Sequence, residues 1–362
     1  MRILWLSWRD IKNPDAGGAE KVAIEITSRL TKEKHQVTIF TSLFKGAKKQ
    51  ETTRGVNIIR RGNRLTCRFF AFLYWLKNKK FDLVIDEINT IPFFSIFYAP
   101  AKTLTLIHQL ASEFWFSQTI WPLSTIGYWL EPFALKLYKD RPTIVVSKST
   151  QKDLQKLGFK NTKIVREGLD FKPQFASAKE DLILFIGRLI EPKGPRDAIT
   201  AFRKTNDIVT GTKLVIIGRG DPTFTANLKR QTITLGLKDK VKFTGFIPES
   251  QKIELLKKAK VVLIPSIREG WGLVATETSA LGAVPIAYNV PGLRDSIANG
   301  KTGILTETNP QALAQAAIDV LKKDQLRKRL AKNGYLWSQK FSWENCYQDF
   351  KRFVLRPGRQ LK

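Results

Sequence analysis

The sequence predicts an α/β protein made of two open, helix-wrapped parallel sheets in tandem. Three observations carry that expectation. The chain has 362 residues, beyond the size at which one hydrophobic core usually stops growing. Apolar, β-branched runs alternate with amphipathic stretches, the signature of strand and crossover helix in a parallel sheet. The alternation occurs twice, separated by a polar stretch that carries a proline.

The first series runs "RILWLS", "GGAEKVAIEITSRLTKEK", "QVTIFTS", "VNIIR", "FDLVIDE", "TLTLIH" and "PTIVVS". The second begins at "LILFIGRL" and continues through "RDAITAFRKT", "TKLVIIGRG", "FTANLKRQTITLGL", "KVKFTGF", "ESQKIELLKKA", "KVVLIPS" and "GAVPIAY". Between them lies "REGLDFKPQFASAKED", which puts the boundary at about Lys172 and gives domains 1–172 and 173–340. "FSWENCYQDFKRFVLRP" reads as one further amphipathic helix, in residues 341–362.

Composition narrows the class. At 43% hydrophobic and 26% charged residues, the chain can build two packed cores. Cys67 and Cys346 lack metal-ligand spacing and have only His35 and His108 to assist them, so no structural zinc is expected. "MRILWLSWRD" has no secretory signature, which points to a reducing cytosol. The longest apolar region, Ile120 to Tyr138, is interrupted by Pro122, Glu131, Pro132 and Lys136 and falls short of a transmembrane helix. The net charge of +29 attracts polyanions: nucleic acid, an anionic membrane or a phosphorylated substrate. It is densest from Lys45 to Lys80, with eleven basic residues against Glu51.

In open parallel sheets, ligands bind beyond the carboxyl ends of the strands. Three loops there could carry chemistry. In "WRDIKNPDAGGAE", Gly17 and Gly18 open a helix whose first amides could face a phosphate; a Gly-Gly pair is equally an ordinary turn. "GRLIEPKG" starts at Gly187 and offers Arg188 and Lys193, two cations for a diphosphate or for solvent. "IREGWGLVATETSALG" places Glu269 before a turn at Gly270, Trp271 and Gly272 and Glu277 within the helix that begins at Leu273. A carboxylate accepts hydrogen bonds from neighbouring hydroxyls, so the pair could hold two polyols of one ligand.

With those residues in order, the sequence resembles the family 4 retaining glycosyltransferases. Glu269 and Glu277 match their Glu-x7-Glu motif, "DAGGAE" their Gly-Gly loop, "LIHQ" their cleft histidine, "GRLIEPKG" their phosphate clamp and "FSWE" the start of their closing helix. The resemblance implies a GT-B fold: two Rossmann-like domains facing a cleft, the second binding the nucleotide sugar, the first the acceptor, and a last helix packing back on the first. It assigns Glu277 to the ribose and Glu269 to the transferred sugar, with Arg188, Lys193 and the Gly17–Gly18 amides on the diphosphate. It adds Gly187, Gly218, Gly270, Trp271, Gly272 and Leu273 to the donor site, and His108 as an orienting group. No metal or other cofactor is implied. The chain departs from the pattern at Gln109, where an aspartate is common, at "REGLD" in place of Asn-Gly-Val-Asp, and at Gly292–Asp295. His35 matches a structural turn.

"RLTCRFFAFLYWLKNKK" interleaves Arg64 and Arg68 with Phe69, Phe70 and Trp75, as an interfacial helix on anionic lipid does, or a buried helix with a basic end. With the first reading, the resemblance to the family implies a lipid-linked or glycan acceptor and a peripheral position on the cytoplasmic membrane face. The rival classes are a GT-B nucleotide-sugar epimerase, which needs no acceptor, and a nucleic-acid-binding protein, for which the sequence holds no recognition motif.

Overall fold

A computed structural model describes residues 1–112, 115–116 and 121–355. Two compact units make up the chain: Met1–Gly168 with Trp343–Lys362, and Leu169–Ser342. The division at Gly168 falls short of the expected 172, and the chain returns to the first unit at Trp343 rather than at 341.

The first unit runs β1 (Arg2–Leu6), α1 (Gly18–Lys32), β2 (Gln36–Thr41), β3 (Gln50–Thr53), β4 (Val56–Arg60), α2 (Cys67–Lys77), β5 (Leu83–Ile88), β6 (Thr103–Ile107), α3 (Leu123–Lys136), β7 (Thr143–Val145), α4 (Lys148–Lys156) and β8 (Thr162–Ile164). Its sheet has the order β3-β4-β2-β1-β5-β6-β7-β8. Among the described residues, only β3 is antiparallel to its neighbour. It joins β4 through Arg54 and Gly55, both at positive φ, the geometry of a two-residue hairpin. The polar edge strand "QETT" shows no apolar alternation in sequence and was missing from the expected strands. The central strands β5 and β6 are buried along their whole length because helices cover both faces of a parallel sheet.

The second unit runs β9 (Glu180–Ile186), α5 (Pro195–Ile208), β10 (Lys213–Ile217), α6 (Pro222–Thr234), β11 (Val241–Gly245), α7 (Glu249–Lys258), β12 (Ala259–Ile264), α8 (Leu273–Ala280), β13 (Val284–Tyr288), α9 (Leu293–Ser296), β14 (Ile304–Thr306), α10 (Pro310–Lys322) and α11 (Asp324–Ser338). The sheet order is β11-β10-β9-β12-β13-β14, parallel throughout. Starts are written locally: Asp221 and Asn309 each accept the N–H three residues on, with proline in the first turn of α6 and α10.

The last helix, α12 (Trp343–Val354), belongs to the first unit. Trp343, Cys346, Tyr347, Phe350 and Val354, spaced to form one stripe, enter the same core as β1 and α1. Phe350 stacks on Trp5 at 6.1 Å, and Lys351 pairs with Glu33 at 2.8 Å.

Both sheets reverse their strand order beside their first strand, so β1 lies between β2 and β5, and β9 between β10 and β12. At such a switch point the loops leaving the two central strands diverge and leave a crevice at their carboxyl ends. In the second unit these are the loops after β9 and β12, which carry Lys193 and Glu269.

Candidate active site

In the second unit the two switch-point loops are tied by backbone. Ile267 N–H donates to the Pro192 carbonyl at 3.0 Å, and Glu269 N–H to the Pro291 carbonyl at 3.1 Å. Gly194 is left-handed (φ +68) and leaves no room for a side chain, since a Cβ would sit 2.2 Å from the Pro265 oxygen. Gly292 (φ +83) does the same on the other side, where a Cβ would lie 2.1 Å from the Glu269 oxygen. The "PGLRD" loop, whose departure left its role open in the sequence, therefore clasps the backbone of Glu269. Across the gap Lys193 Nζ reaches Glu269 Oε1 at 2.5 Å. Arg188 is half-buried in the same β9 loop. Gly187 donates to the Ile217 carbonyl at 3.0 Å, and Gly218 (φ +144) lies so close that a Cβ on it would sit 1.8 Å from the Gly187 oxygen.

Gly270 and Gly272 bracket the turn, and Gly272 (φ +89) is the N-cap of α8, which starts at Leu273. The first amides of a helix lack intrahelical partners and favour an anion. Trp271 between them turns its ring inward. Its side chain is 2% exposed, its indole donates to Thr276 Oγ1 at 3.1 Å, and its ring meets Phe341 edge-on at 5.1 Å. The indole packs the loop from inside and anchors a turn rich in glycine.

Glu277 lies within α8 with its side chain 12% exposed, and Lys252 of α7 donates to it at 2.9 Å. Burial pushes the Glu277 carboxyl above its ordinary range, and the ammonium beside it pulls the other way. Lys252 also bonds Glu249 at 2.9 Å. Nothing in the sequence flagged Lys252, which stands 25 residues before its partner.

In the first unit, Glu20 reaches back from the first turn of α1 to accept the Gly17 N–H at 2.7 Å and is itself paired with Arg9 at 2.8 Å. That bond takes the Gly17 amide that was assigned to a phosphate, and Gly18 begins the helix. A glutamate three residues into a helix does this as a capping partner, so the signal was present in "GGAE".

His108 follows β6 and is buried. Its Nε2 lies 3.3 Å from Glu87 Oε1 and its Nδ1 3.5 Å from Glu167 Oε1, ion-pair distances with the ring off the hydrogen-bond axis. Burial alone would lower its pKa, yet the two carboxylates raise it to about 9. The carboxylates on either side of the ring favour the imidazolium form. Glu87 is fixed by Trp5, whose indole donates to it at 2.5 Å. Glu167 is the glutamate of "REGLD", where asparagine is commoner. His35 stays at the turn before β2, its Nδ1 3.2 Å from the chain's amino terminus.

The five residues assigned to lipid divide. Arg68 is turned in: its guanidinium donates to the carbonyls of Ile91 at 2.7 Å and Pro92 at 3.0 Å and lies over the Phe93 ring. Trp75 packs on Tyr98 with centroids 5.3 Å apart. Both tie α2 to the loop after β5, so neither faces a membrane. Arg64 sits over the Trp8 ring at 4.9 Å, and Phe69 and Phe70 remain exposed.

Comparison with known proteins decides the family. A model of group 1 glycosyl transferases matches residues 168–337, and one of glycosyltransferase family 4 matches residues 16–170. The chain belongs to the family 4 glycosyltransferases. It is 32% identical over 174 residues to a D-inositol 3-phosphate glycosyltransferase of Acidothermus cellulolyticus, a stretch covering 46% of this chain and 39% of that protein. The fold is GT-B. Sucrose-phosphate synthase of Thermosynechococcus elongatus superposes with TM-score 0.80 at 20% identity, covering 98% of each chain. HepE of Anabaena, solved with UDP-glucose, does so with TM-score 0.75 at 21% identity, covering 98% of this chain and 99% of its own.

Proposed function

We propose that this glycosyltransferase moves a sugar from a nucleoside-diphosphate sugar to an acceptor hydroxyl with retention of anomeric configuration. The observation that carries the reading is the pairing of Lys193 with Glu269 on the two switch-point loops, next to the start of α8 and ahead of the half-buried Glu277. Lys193 and Arg188 supply positive charge for a diphosphate, Glu269 an acceptor for sugar hydroxyls and Glu277 one for the ribose. The complex of HepE with UDP-glucose supports the donor class.

In this reading the bond between the anomeric carbon and the diphosphate oxygen breaks first, giving an oxocarbenium-like state. The acceptor oxygen then bonds to that carbon on the same face, and its proton passes to the departing phosphate oxygen. Arg188 and Lys193 stabilise the growing negative charge without a metal. The phosphate competes for Lys193, which releases Glu269 to the sugar. His108, with a carboxylate on either side that favours its protonated form, orients the sugar rather than taking the acceptor's proton. The acceptor is a lipid-linked or glycan hydroxyl at the cytoplasmic face of an anionic membrane.

Titration calorimetry of two variants tests the division of labour. Glu277→Ala is expected to weaken nucleotide and nucleotide sugar equally, and Glu269→Ala to remove only the part of the affinity that the sugar adds. Equal losses for both ligands in both variants would sink it.

A further inference from the structure

The helix α3 is built inside out. Its inward stripe is small or polar except at its end: Ser124, Glu131 and Leu135 are buried, only the last of them apolar, and Gly127 lies so close to Trp115 that a Cβ would come within 2.3 Å of the indole. Glu131 is pinned by the amides of Ala111 at 2.6 Å and Ser112 at 2.8 Å and by the Trp115 indole at 3.2 Å. The outward side carries Leu123, Ile126, Trp129, Leu130, Phe133 and, one residue past the helix, Leu137, from 48% exposed at Ile126 to 65% at Trp129. At 100° per residue these six share an arc of about 120°, opposite the inward stripe. A helix of a water-soluble core presents the reverse arrangement, and an exposed apolar face of this extent marks an interaction surface.

Charge identifies what covers it. The base of α3 packs through Leu135 and Tyr138 against Leu154 of α4. α4 and the turn after it expose Lys148, Lys152, Lys156 and Lys160. Only Asp140 and Asp153 oppose the eight basic residues from Lys136 to Lys163. A second copy of a chain with net charge +29 would be repelled. An anionic surface would be attracted, and outward tryptophan, phenylalanine and leucine beside lysine suit the headgroup boundary. The 14 residues of α3 span about 21 Å, less than the ~30 Å hydrocarbon core. The helix can lie in a membrane surface and cannot cross it.

We propose that α3 lies in the plane of an anionic lipid bilayer, with its outward apolar residues in the acyl boundary and the α4 lysines on headgroup phosphates. This rests on the membrane half of the function proposed above and not on its donor half. It also moves the lipid contact from α2, where the sequence suggested it, to a stretch that the sequence marked only as too short to span.

Sedimentation with phosphatidylcholine vesicles, with and without phosphatidylglycerol, tests it. The unaltered chain is expected to bind only the phosphatidylglycerol vesicles. Trp129→Ser with Phe133→Ser should weaken that binding roughly tenfold or more, while Phe69→Ser with Phe70→Ser leaves it near the original. Binding of a nucleotide sugar without vesicles should be the same in all three. Should the α3 double variant melt early, Leu130→Gln takes its place. The proposal falls if the α3 variant binds like the parent, if the loss follows the α2 pair, if no vesicle is bound, or if the parent is a dimer that the α3 variant dissociates. A parent chain that binds vesicles but no nucleotide sugar would overturn the donor reading and leave this one standing.

Discussion

The two units share a topology and secure their switch-point loops by different means. In the second unit the loops after β9 and β12 are fastened by backbone, with Gly194, Gly218 and Gly292 each against a carbonyl oxygen that would meet any side chain at about 2 Å. In the first unit the loop after β1 is held by side chains. Asp10 takes the Arg60 guanidinium at 2.7 and 2.8 Å in full burial, and Glu20 takes Arg9 and the Gly17 amide. Gly17 has a negative φ (−145), and a Cβ on it would meet nothing nearer than 3.9 Å. A site fastened by backbone tolerates no change at its glycines. One fastened by ion pairs is instead sensitive to charge and pH.

The largest expected effect sharpens that contrast. Gly218→Ala drives a methyl group into the Gly187 carbonyl at a φ of +144, and Gly292→Ala pushes the Glu269 backbone aside. Each should cost on the order of 3 kcal/mol and abolish donor binding, read by thermal unfolding and by nucleotide-sugar titration. A Gly218→Ala protein that melts with the parent would show that the loops carry enough slack to make the comparison empty.

Much of this was legible in sequence because its signals are local. Strand and helix periods gave both sheets, and Lys193 and Glu269 stand in loops, and Glu277 in the helix after one of them, whose place after a strand can be read directly. What escaped notice was set by distant partners. Lys252 reaches Glu277 from another helix, and Glu87 of β5 and Glu167 of the stretch after β8 meet at His108 from positions that the sequence cannot bring side by side. The place of the Trp271 ring was not legible either, because its partners, Thr276 and Phe341, are fixed by the fold. The reversed face of α3 did have a local signature, in the helical spacing of Ser124, Gly127, Glu131 and Leu135, hidden within a stretch weighed only for its total hydrophobicity.

A smaller effect should appear in the first unit as pH dependence. The pKa of His108 is raised from 6.5 to about 9, so the folded state binds a proton that the unfolded chain releases earlier. This stabilisation is fully present below pH 6.5 and is lost as pH rises through about 9. At about 1.4 kcal/mol per unit it amounts to no more than roughly 3 kcal/mol. Melting temperatures should decline across that window, and Glu167→Gln, which removes one of the two carboxylates, should lower the starting value and flatten the decline. Parallel curves for parent and variant would mean that His108 is neutral throughout.

The smallest effect is the control for the first. Gly17→Ala adds the same methyl group to the corresponding loop of the other unit, where there is room for it and where φ suits any residue. The N-cap preference for glycine over alanine sets the stability cost at about 0.5–1 kcal/mol. Because the Gly17 amide is already given to Glu20, donor affinity should not change. Calorimetry with the nucleotide sugar separates two ways of failing. A fall in affinity without a fall in melting temperature would mean that a ligand group approaches Gly17 closely enough to displace Glu20, restoring the phosphate role read from the sequence. A fall in both, as deep as that of Gly218→Ala, would mean that this loop too is fastened through its backbone, and the contrast between the units would go with it.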